Sequence, residues 1–415
     1  MTYKESRDFV SSCQRFGIKP GLARVSKLLK SLSFSQKAKY IHIAGTSGKG
    51  SVAVMLSEIL QSAGFKTGLY TSPYVLDFRE RIQVNGEMIP KSAFAGLIAR
   101  IAKKNIPELT EFETVTAAAL TFFEESGCDW VVLETGLGGR LDATNVINRP
   151  EVTVIMPISL DHTDILGDTV AQIAAEKCGI IKSDGVTVSA AGQPDEALTV
   201  IKNTARARNN RLIIPDVTAV ANRHLSISRT EFSYKNLAVS LPLCGEHQLF
   251  NALAACETAK TLSLSNEAMT AGLKKVRFPA RVELLSETPP VILDGAHNPE
   301  KVAALIRAVS PFLERKAVFV FGTLADKDYM SELELIKPLC AQLIAVTPPG
   351  GRALPAAVLA CRSREAGLGA CRARSYKEAL CLAREKSQDQ NSPVIIFGSL
   401  YLAAALRKKA MQIFM

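Results

Sequence analysis

Paired cysteines are missing from this sequence. Its nine cysteines, at 13, 128, 178, 244, 256, 340, 361, 371 and 381, are odd in number and form no CxxC pair. That spacing argues against a disulfide framework and against a zinc site, and fits reduced thiols in a cytosol. Long apolar runs are missing too. No stretch reaches the roughly 20 residues that span a bilayer, and the polar N-terminus lacks the apolar core of a signal peptide. The expectation is a cytoplasmic protein with no membrane partner. Tryptophan occurs once, and neither an internal repeat nor a low-complexity tract is present.

Acidic residues are the scarcer charge, 40 against 50 Lys and Arg, so the formal net charge is +10. Nine basic residues (4, 7, 15, 19, 24, 27, 30, 37, 39) crowd the first forty positions against Glu5 and Asp8. A nucleic-acid footprint is one reading. No aromatics are interleaved there and no nucleic-acid motif appears, so a solvated basic face on amphipathic helices is preferred, with no nucleic-acid partner. Such a face also concentrates anionic substrates.

Hydrophobic residues make up 47% of the chain, ample for buried cores, and 415 residues predict two or three domains. Strand candidates are Tyr40–Ala44, Thr67–Tyr70, Trp130–Glu134, Val152–Ile158 and Val186–Ser189. Helical patterns at Ser92–Lys104 and Phe112–Ser126 lie between them. This βαβ order predicts a mainly parallel sheet covered by helices. Residues Arg211 to Leu243 read instead as short strands with polar breaks, a small antiparallel addition, followed by a helix at His247–Leu262. The run Ser286-Glu287-Thr288-Pro289-Pro290 marks a boundary. Beyond it the α/β pattern restarts with strands at Val291–Asp294, Ala317–Phe321, Gln342–Thr347 and Val394–Phe397 and a helix from Pro299. The expected division is 1–285 and 286–415, with a ligand cleft between the two.

Gly45-Thr46-Ser47-Gly48-Lys49-Gly50-Ser51 is the most informative segment. It follows a strand and opens a helix with apolar side chains at Val52, Met55, Leu56, Ile59, Leu60 and Ala63 and a capping Gly64. Strand, glycine loop and helix are the context of a phosphate-binding loop, which is preferred to a glycine-rich turn that binds nothing. Backbone N–H groups at the helix start face an anion, Lys49 adds a charge, and Ser51 offers a hydroxyl to Mg²⁺. The spacing departs from G-x-x-x-x-G-K-[ST]: Ile43 stands where a glycine is usual, and Gly50 separates Lys49 from Ser51.

Three further clusters carry candidate chemistry. Glu134 closes an apolar strand ahead of Gly136-Leu137-Gly138-Gly139, where α/β folds bind ligands, and is a candidate metal ligand. His162, in Leu160-Asp161-His162-Thr163-Asp164, is either a metal ligand or a capped loop residue. Lys177 follows on a helix at Val170–Cys178, where a solvated charge is the ordinary reading. Asp294-Gly295-Ala296-His297-Asn298-Pro299 ends a strand of the second unit. Asn298 and Pro299 are explained as N-cap and N1 residues; Asp294 and His297 are not.

The ordered motifs GTSGKGS (45–51), TSPYVLDFRERIQVNGE (71–87), LTEFE (109–113), LETGLGGRLDATN (133–145), LDHTDILGDT (160–169), AEKCGIIK (175–182), HQLFN (247–251), FPARVE (278–283), LDGAHNP (293–299), ADKD (325–328) and GSLYL (398–402) resemble the folylpolyglutamate synthase/dihydrofolate synthase family of the Mur ligase superfamily over nearly the whole chain. The resemblance implies an α/β fold: a P-loop domain with a mainly parallel sheet and a small antiparallel addition, then a smaller Rossmann-like domain. It implies that the 45–51 loop is the family's own phosphate-binding form. ATP would be held by that loop and by Asn251, Arg281, Asp294 and His297. One Mg²⁺ would sit on Ser51 and Glu134, and a second on Ser72, Glu134 and His162. Lys177 matches a lysine that the family typically carbamylates. Phe112, Asp142 and Ala143 match dihydropteroate-binding positions, and Ser399 and Tyr401 lie near the L-glutamate site. Relatives often carry His, Arg and Asn where this chain has Tyr74, Asp77 and Arg79, in a loop near the pterin.

The implied activity is ATP-dependent joining of L-glutamate to dihydropteroate and to folates through an acyl phosphate, by a monomer, with Lys49, Lys177 and His162 as catalytic groups. A monofunctional folylpolyglutamate synthase is an alternative. So is a Mur ligase acting on a UDP-sugar peptide, although only 44 residues precede Gly45, too few for the UDP-binding domain such enzymes carry. A non-catalytic nucleotide-binding regulator would lack the metal-site residues, and all five (Ser51, Ser72, Glu134, His162, Lys177) are present.

Overall fold

The structure, a computed structural model, describes residues 1–13, 17 and 19–414. Arg15, one of the nine early basic residues, and Met415, the last residue of the expected second unit, lie outside the described residues.

Eight strands form the first sheet: β1 (Lys39–Ala44), β2 (Thr67–Tyr70), β3 (Ile82–Val84), β4 (Glu87–Met88), β5 (Trp130–Glu134), β6 (Val152–Ile155), β7 (Val186–Ser189) and β8 (Arg211–Ile213). Their order is β4-β3-β2-β5-β1-β6-β7-β8. Every pairing from β2 to β8 is parallel, and β3 and β4 add an antiparallel edge. The central strands β1 and β5 are buried on both faces, which is why they read as unbroken apolar runs. Helices Lys49–Ser62 and Glu246–Thr261 pack on one face. Helices Tyr3–Ser12, Lys91–Ala102 and Glu111–Glu125 cover the other.

A three-stranded antiparallel sheet follows, β9 (Val220–Leu225), β10 (Thr230–Tyr234) and β11 (Leu237–Leu241). The antiparallel addition expected from Arg211 onward therefore starts later. Residues Arg211–Ile213 instead extend the large sheet in parallel with β7.

The third sheet contains β12 (Glu283–Glu287), β13 (Pro290–Leu293), β14 (Ala317–Phe321), β15 (Cys340–Ala345), β16 (Ala370–Arg372) and β17 (Val394–Phe397), in the order β12-β13-β17-β14-β15-β16. All neighbours are parallel except β12 with β13. That pair corrects the boundary reading. Ser286–Pro290 is not a linker: it runs from the end of β12 through the turn Thr288-Pro289 to the start of β13, with Glu287 facing Pro290. The expected division after residue 285 cuts β12. Two consecutive prolines signal a break in pairing, and a hairpin turn meets that demand as well as a linker does. Among the described residues no helix is long and apolar enough to cross a membrane.

Candidate active site

Parallel strands end together, so β1, β5 and β6 deliver three loops to one edge. The loop after β1 turns into the helix Lys49–Ser62, with Gly48 at the N-cap at φ +81°. The N–H groups of Thr46 and Ser47 bond the Pro157 carbonyl, which fixes the loop to the segment after β6 and takes these two donors away from any anion. The donors left at the helix start are those of Gly48 and the first turn, Lys49 to Ser51, which have no intrahelical acceptor. Thr46 Oγ1 also exchanges hydrogen bonds with the backbone of Ser159. A Cβ on Gly48 would lie 2.5 Å from Asn251 Oδ1. A Cβ on Gly50 would lie 2.9 Å from the Phe278 ring and 3.5 Å from Glu134 Oε2. The extra glycine that spoils the sequence motif is therefore the place where a carboxylate and an aromatic ring press on the loop.

Two lysines converge on one carbonyl. Lys49 Nζ and Lys177 Nζ donate to the Gly45 oxygen at 3.0 and 2.9 Å. Lys177 is not the solvated lysine that helices usually carry: it is 3% exposed. Burial first, and then the Lys49 charge, push its pKa down to about 7, against the pull of Asp161 and Asp142. Glu134, also buried, accepts the Ser72 backbone N–H at 2.9 Å. Burial raises its pKa, while Lys49, the Ser72 N–H and Arg281 oppose the rise. Ser51 is buried in the first turn of the same helix as Lys49.

Beside Glu134 opens a cavity of about 620 Å³. Six expected residues line it: Ser72, Phe112, Asp142, Ala143, His162 and Tyr401. Phe112 lies against Gly136 with no room for a side chain between them. Asp142 caps the turn Ala143–Val146 and accepts N–H bonds from Leu137 and Thr144 at 2.8 and 3.0 Å. His162 occupies a left-handed position at φ +50° as the cap of a short helix, half exposed, with Nε2 3.7 Å from Asp161. Its ring makes no capping hydrogen bond and lines the cavity. Tyr74 lines the cavity and packs edge-on against Phe78. Asp77 caps the turn Phe78–Arg81 and is paired with Arg79 at 2.8 Å, so the two unusual residues neutralise each other.

The other lobe contributes from three segments. Arg281 sits between Ala280 and Val282, both at positive φ (+52° and +47°), a costly conformation for a β-branched residue. Asp294 sustains it: Oδ2 accepts the Val282 N–H at 2.8 Å and Oδ1 the Ala296 N–H at 2.7 Å. His297 Nδ1 faces the Gly295 carbonyl at 2.8 Å. Ser399 is buried and its hydroxyl caps the last helix through the Leu402 N–H. Tyr401 is 56% exposed on that helix and reaches the cavity. The sequence reading missed Phe278, Lys301 and the cavity-lining Arg7 and Arg81. Arg7 and Arg81 both lie over the Phe78 ring. An aromatic with basic residues three places on and far upstream carries no signal until the fold brings them together.

Among the described residues no cluster of three or more His, Cys, Asp or Glu side chains forms a ready metal cage. The donor set still suits Mg²⁺. Hydroxyl and carboxylate oxygens are the ligands this hard cation takes, and Glu134 is a buried carboxylate that gains from a nearby cation.

The chain matches the Mur ligase middle domain over residues 43–259 and the Mur ligase glutamate ligase domain over 280–400. The Bacillus subtilis dihydrofolate synthase/folylpolyglutamate synthase is 35% identical, covering 98% of this chain and 99% of its own. The Mycobacterium tuberculosis folylpolyglutamate synthase complexed with ADP superposes with a TM-score of 0.86 at 30% identity, covering 98% of each chain. The Escherichia coli FolC complex with DHPP and ADP gives 0.82 at 28%, covering 97% of each. The chain belongs to the dihydrofolate synthase/folylpolyglutamate synthase family of Mur ligases, ATP-dependent enzymes that join an amino acid to a carboxylic acid.

Proposed function

We propose that this enzyme adds L-glutamate both to dihydropteroate and to folate polyglutamate chains, holding ATP between Lys49 on one lobe and Arg281 and His297 on the other. The observation that carries this reading is the setting of Glu134. The Lys49 and Arg281 charges act on it from the two lobes, and Ser72, which lines the large cavity, donates to it. Phosphate loop, second lobe and acceptor cavity therefore meet at one buried carboxylate. The lobes divide in the segment Arg277–Val282, ahead of β12. The proposed working unit is a monomer.

A carboxylate does not react with an amine at neutral pH until its oxygen becomes a leaving group. The acceptor carboxylate, bound in the cavity, attacks the γ-phosphorus and ADP departs. The glutamate amine then attacks the acyl phosphate and phosphate leaves. Lys49 and the first-turn N–H groups neutralise the transferring phosphoryl group, and closure of the lobes excludes water. Ser51, Ser72, Glu134 and His162 would hold two Mg²⁺ ions, which when bound neutralise phosphate charge. Lys177 has the property carbamylation requires, an amine neutral in part near pH 7. Its nitrogen adds to the carbon of CO₂ and releases a proton, and the resulting anion beside Lys49 replaces repulsion by attraction.

The test is phosphate release by purified protein with ATP, Mg²⁺ and glutamate, offered either dihydropteroate or tetrahydrofolate. Turnover with both supports the two-acceptor reading. Turnover with one alone leaves a monofunctional enzyme, and turnover with neither rejects the proposal.

A further inference from the structure

The His297 ring is held at both ends. Its Nδ1 lies 2.8 Å from the Gly295 carbonyl oxygen and its Nε2 lies 3.0 Å from Lys301 Nζ. A carbonyl only accepts and an ammonium only donates. Nδ1 therefore carries the ring proton, and the Nε2 lone pair is occupied by Lys301. In that state the imidazole has no donor to offer a phosphate. Lys301, exposed on the first turn of the helix Pro299–Val309, has one of its three N–H groups engaged by His297 and two left for an anion.

The surroundings set the direction in which that charge acts. Arg281, from the segment before β12, and Lys327, from the loop after β14, are the cations that bear on both His297 and Lys301. The acids that bear on Lys301 are Glu300 beside it and Asp161 from the opposite lobe. Asp161 also acts on Lys177, whose amine shares the Gly45 carbonyl with Lys49. Lys301 and Lys177, one from each lobe, thus both lie within electrostatic reach of Asp161.

We propose that Lys301 is the phosphate-contacting cation of this corner of the site, and that His297 is its positioning residue. The inference rests on the nucleotide site argued above and inverts the roles of its two residues. The charge pattern agrees with it. Burial first, then the Lys301 charge, with smaller effects of Lys327 and Arg281, hold the His297 pKa down at about 4, against the Gly295 hydrogen bond. Burial first, and then Arg281, lower the Lys301 pKa as well, against the pull of Asp161 and Glu300; with the ring neutral, the positive charge that the pair carries resides on Lys301.

Steady-state kinetics of Lys301→Met, Lys301→Arg, His297→Ala and the double variant Lys301→Met/His297→Ala test this. Lys301→Met is expected to raise KM for ATP by about tenfold with a smaller change in kcat. Lys301→Arg recovers most of the loss. The double variant is no worse than Lys301→Met alone. ¹⁵N-labelled histidine gives a second readout, since only five histidines are present. His297 should show the Nδ1–H tautomer, and its titration should move upward in Lys301→Met, a shift that loss of packing would not cause. An unchanged KM for ATP in Lys301→Met together with a raised one in His297→Ala overturns the proposal alone. Unchanged KM in both overturns the nucleotide site with it.

Discussion

Glu134 and Asp294 have the same sequence signature and opposite employment. Each is the carboxylate at the carboxyl end of an inner strand, each is followed by glycine within two residues, and each is less than 10% exposed. Burial raises the pKa of both. Asp294 has both oxygens engaged by backbone N–H groups, and those bonds hold a strained segment that presents Arg281. Glu134 accepts a single N–H among the described residues, and cations of both lobes bear on it. The first carboxylate is a clasp; the second keeps free lone pairs where a metal or phosphate-bound cation would come. Strand-end position identifies a site, but what already bonds the oxygens tells which acid does chemistry.

The largest effect expected from this contrast is that of Glu134→Gln. It keeps the shape and the acceptor for Ser72 and removes only the charge. Turnover should fall by about a thousandfold. The melting temperature should hold or rise, because a buried charge has gone. A melting temperature lowered as far as a broken clasp would lower it makes Glu134 structural and ends the contrast.

Lys177→Met comes next, with a loss of about a hundredfold in turnover if its carbamate orients a metal. Its stability effect has the opposite sign. With the folded pKa depressed to about 7 from 10.5, an unfolded chain keeps a proton between those values that the folded chain has released. Stability from this group therefore rises with pH across that window, and its penalty is full below pH 7. With carbon dioxide excluded, so that the parent lysine is a free amine, thermal scans should show the variant more stable than the parent at pH 6 to 7, with the gap closing toward pH 10. ¹³C-labelled bicarbonate should give a carbamate resonance in the parent that the variant lacks.

Asp294→Asn should do the reverse of Glu134→Gln. An amide puts N–H groups against the Val282 or Ala296 N–H, and one buried donor loses its acceptor. The cost is about 1–3 kcal/mol of stability, measured by denaturant unfolding. KM for ATP should rise as Arg281 loosens, with kcat less affected.

These differences were only half visible in the sequence. Central strands were legible because a strand buried on both faces tends to be a continuous apolar run, so β5, β14 and β17 fall where the pattern puts them; β2 and β7 do so as well, though they carry Thr, Gly and Ser. The edge strands β12 and β16 were missed: β16 is three residues long, and neither shows the unbroken burial that makes an apolar run. Glu134 and Lys49 were nameable because glycine loops at strand ends are local signals; Ser72, whose loop after β2 has no glycine, was named only through the family resemblance. The contact of Phe278 with Gly50 and the facing of Asp161 and Lys301 were not, because each joins segments more than a hundred residues apart. Nothing local in the sequence distinguishes an Asp that clasps backbone from a Glu that waits for a cation.

Asp142 extends the comparison to a third acid and carries the smallest effect. Like Asp294 it is buried and its oxygens are occupied, here by the Leu137 and Thr144 N–H groups and by the Thr144 hydroxyl. Unlike Asp294 it lines the cavity. The Thr144 hydroxyl donates its proton to Asp142, so it accepts from His42, whose Nε2 lies 2.8 Å away. That assigns the proton to Nε2 and leaves His42 Nδ1 bare, which is the ring atom without a partner. Thr144→Val removes the link and orphans the His42 donor as well, at about 1–2 kcal/mol. If Asp142 only shapes its turn, KM for dihydropteroate should not move beyond what the stability loss explains. If its aim into the cavity matters, KM for dihydropteroate should rise a few-fold while KM for ATP stays put, and Asp142 then combines the clasp of Asp294 with the exposure to ligand of Glu134.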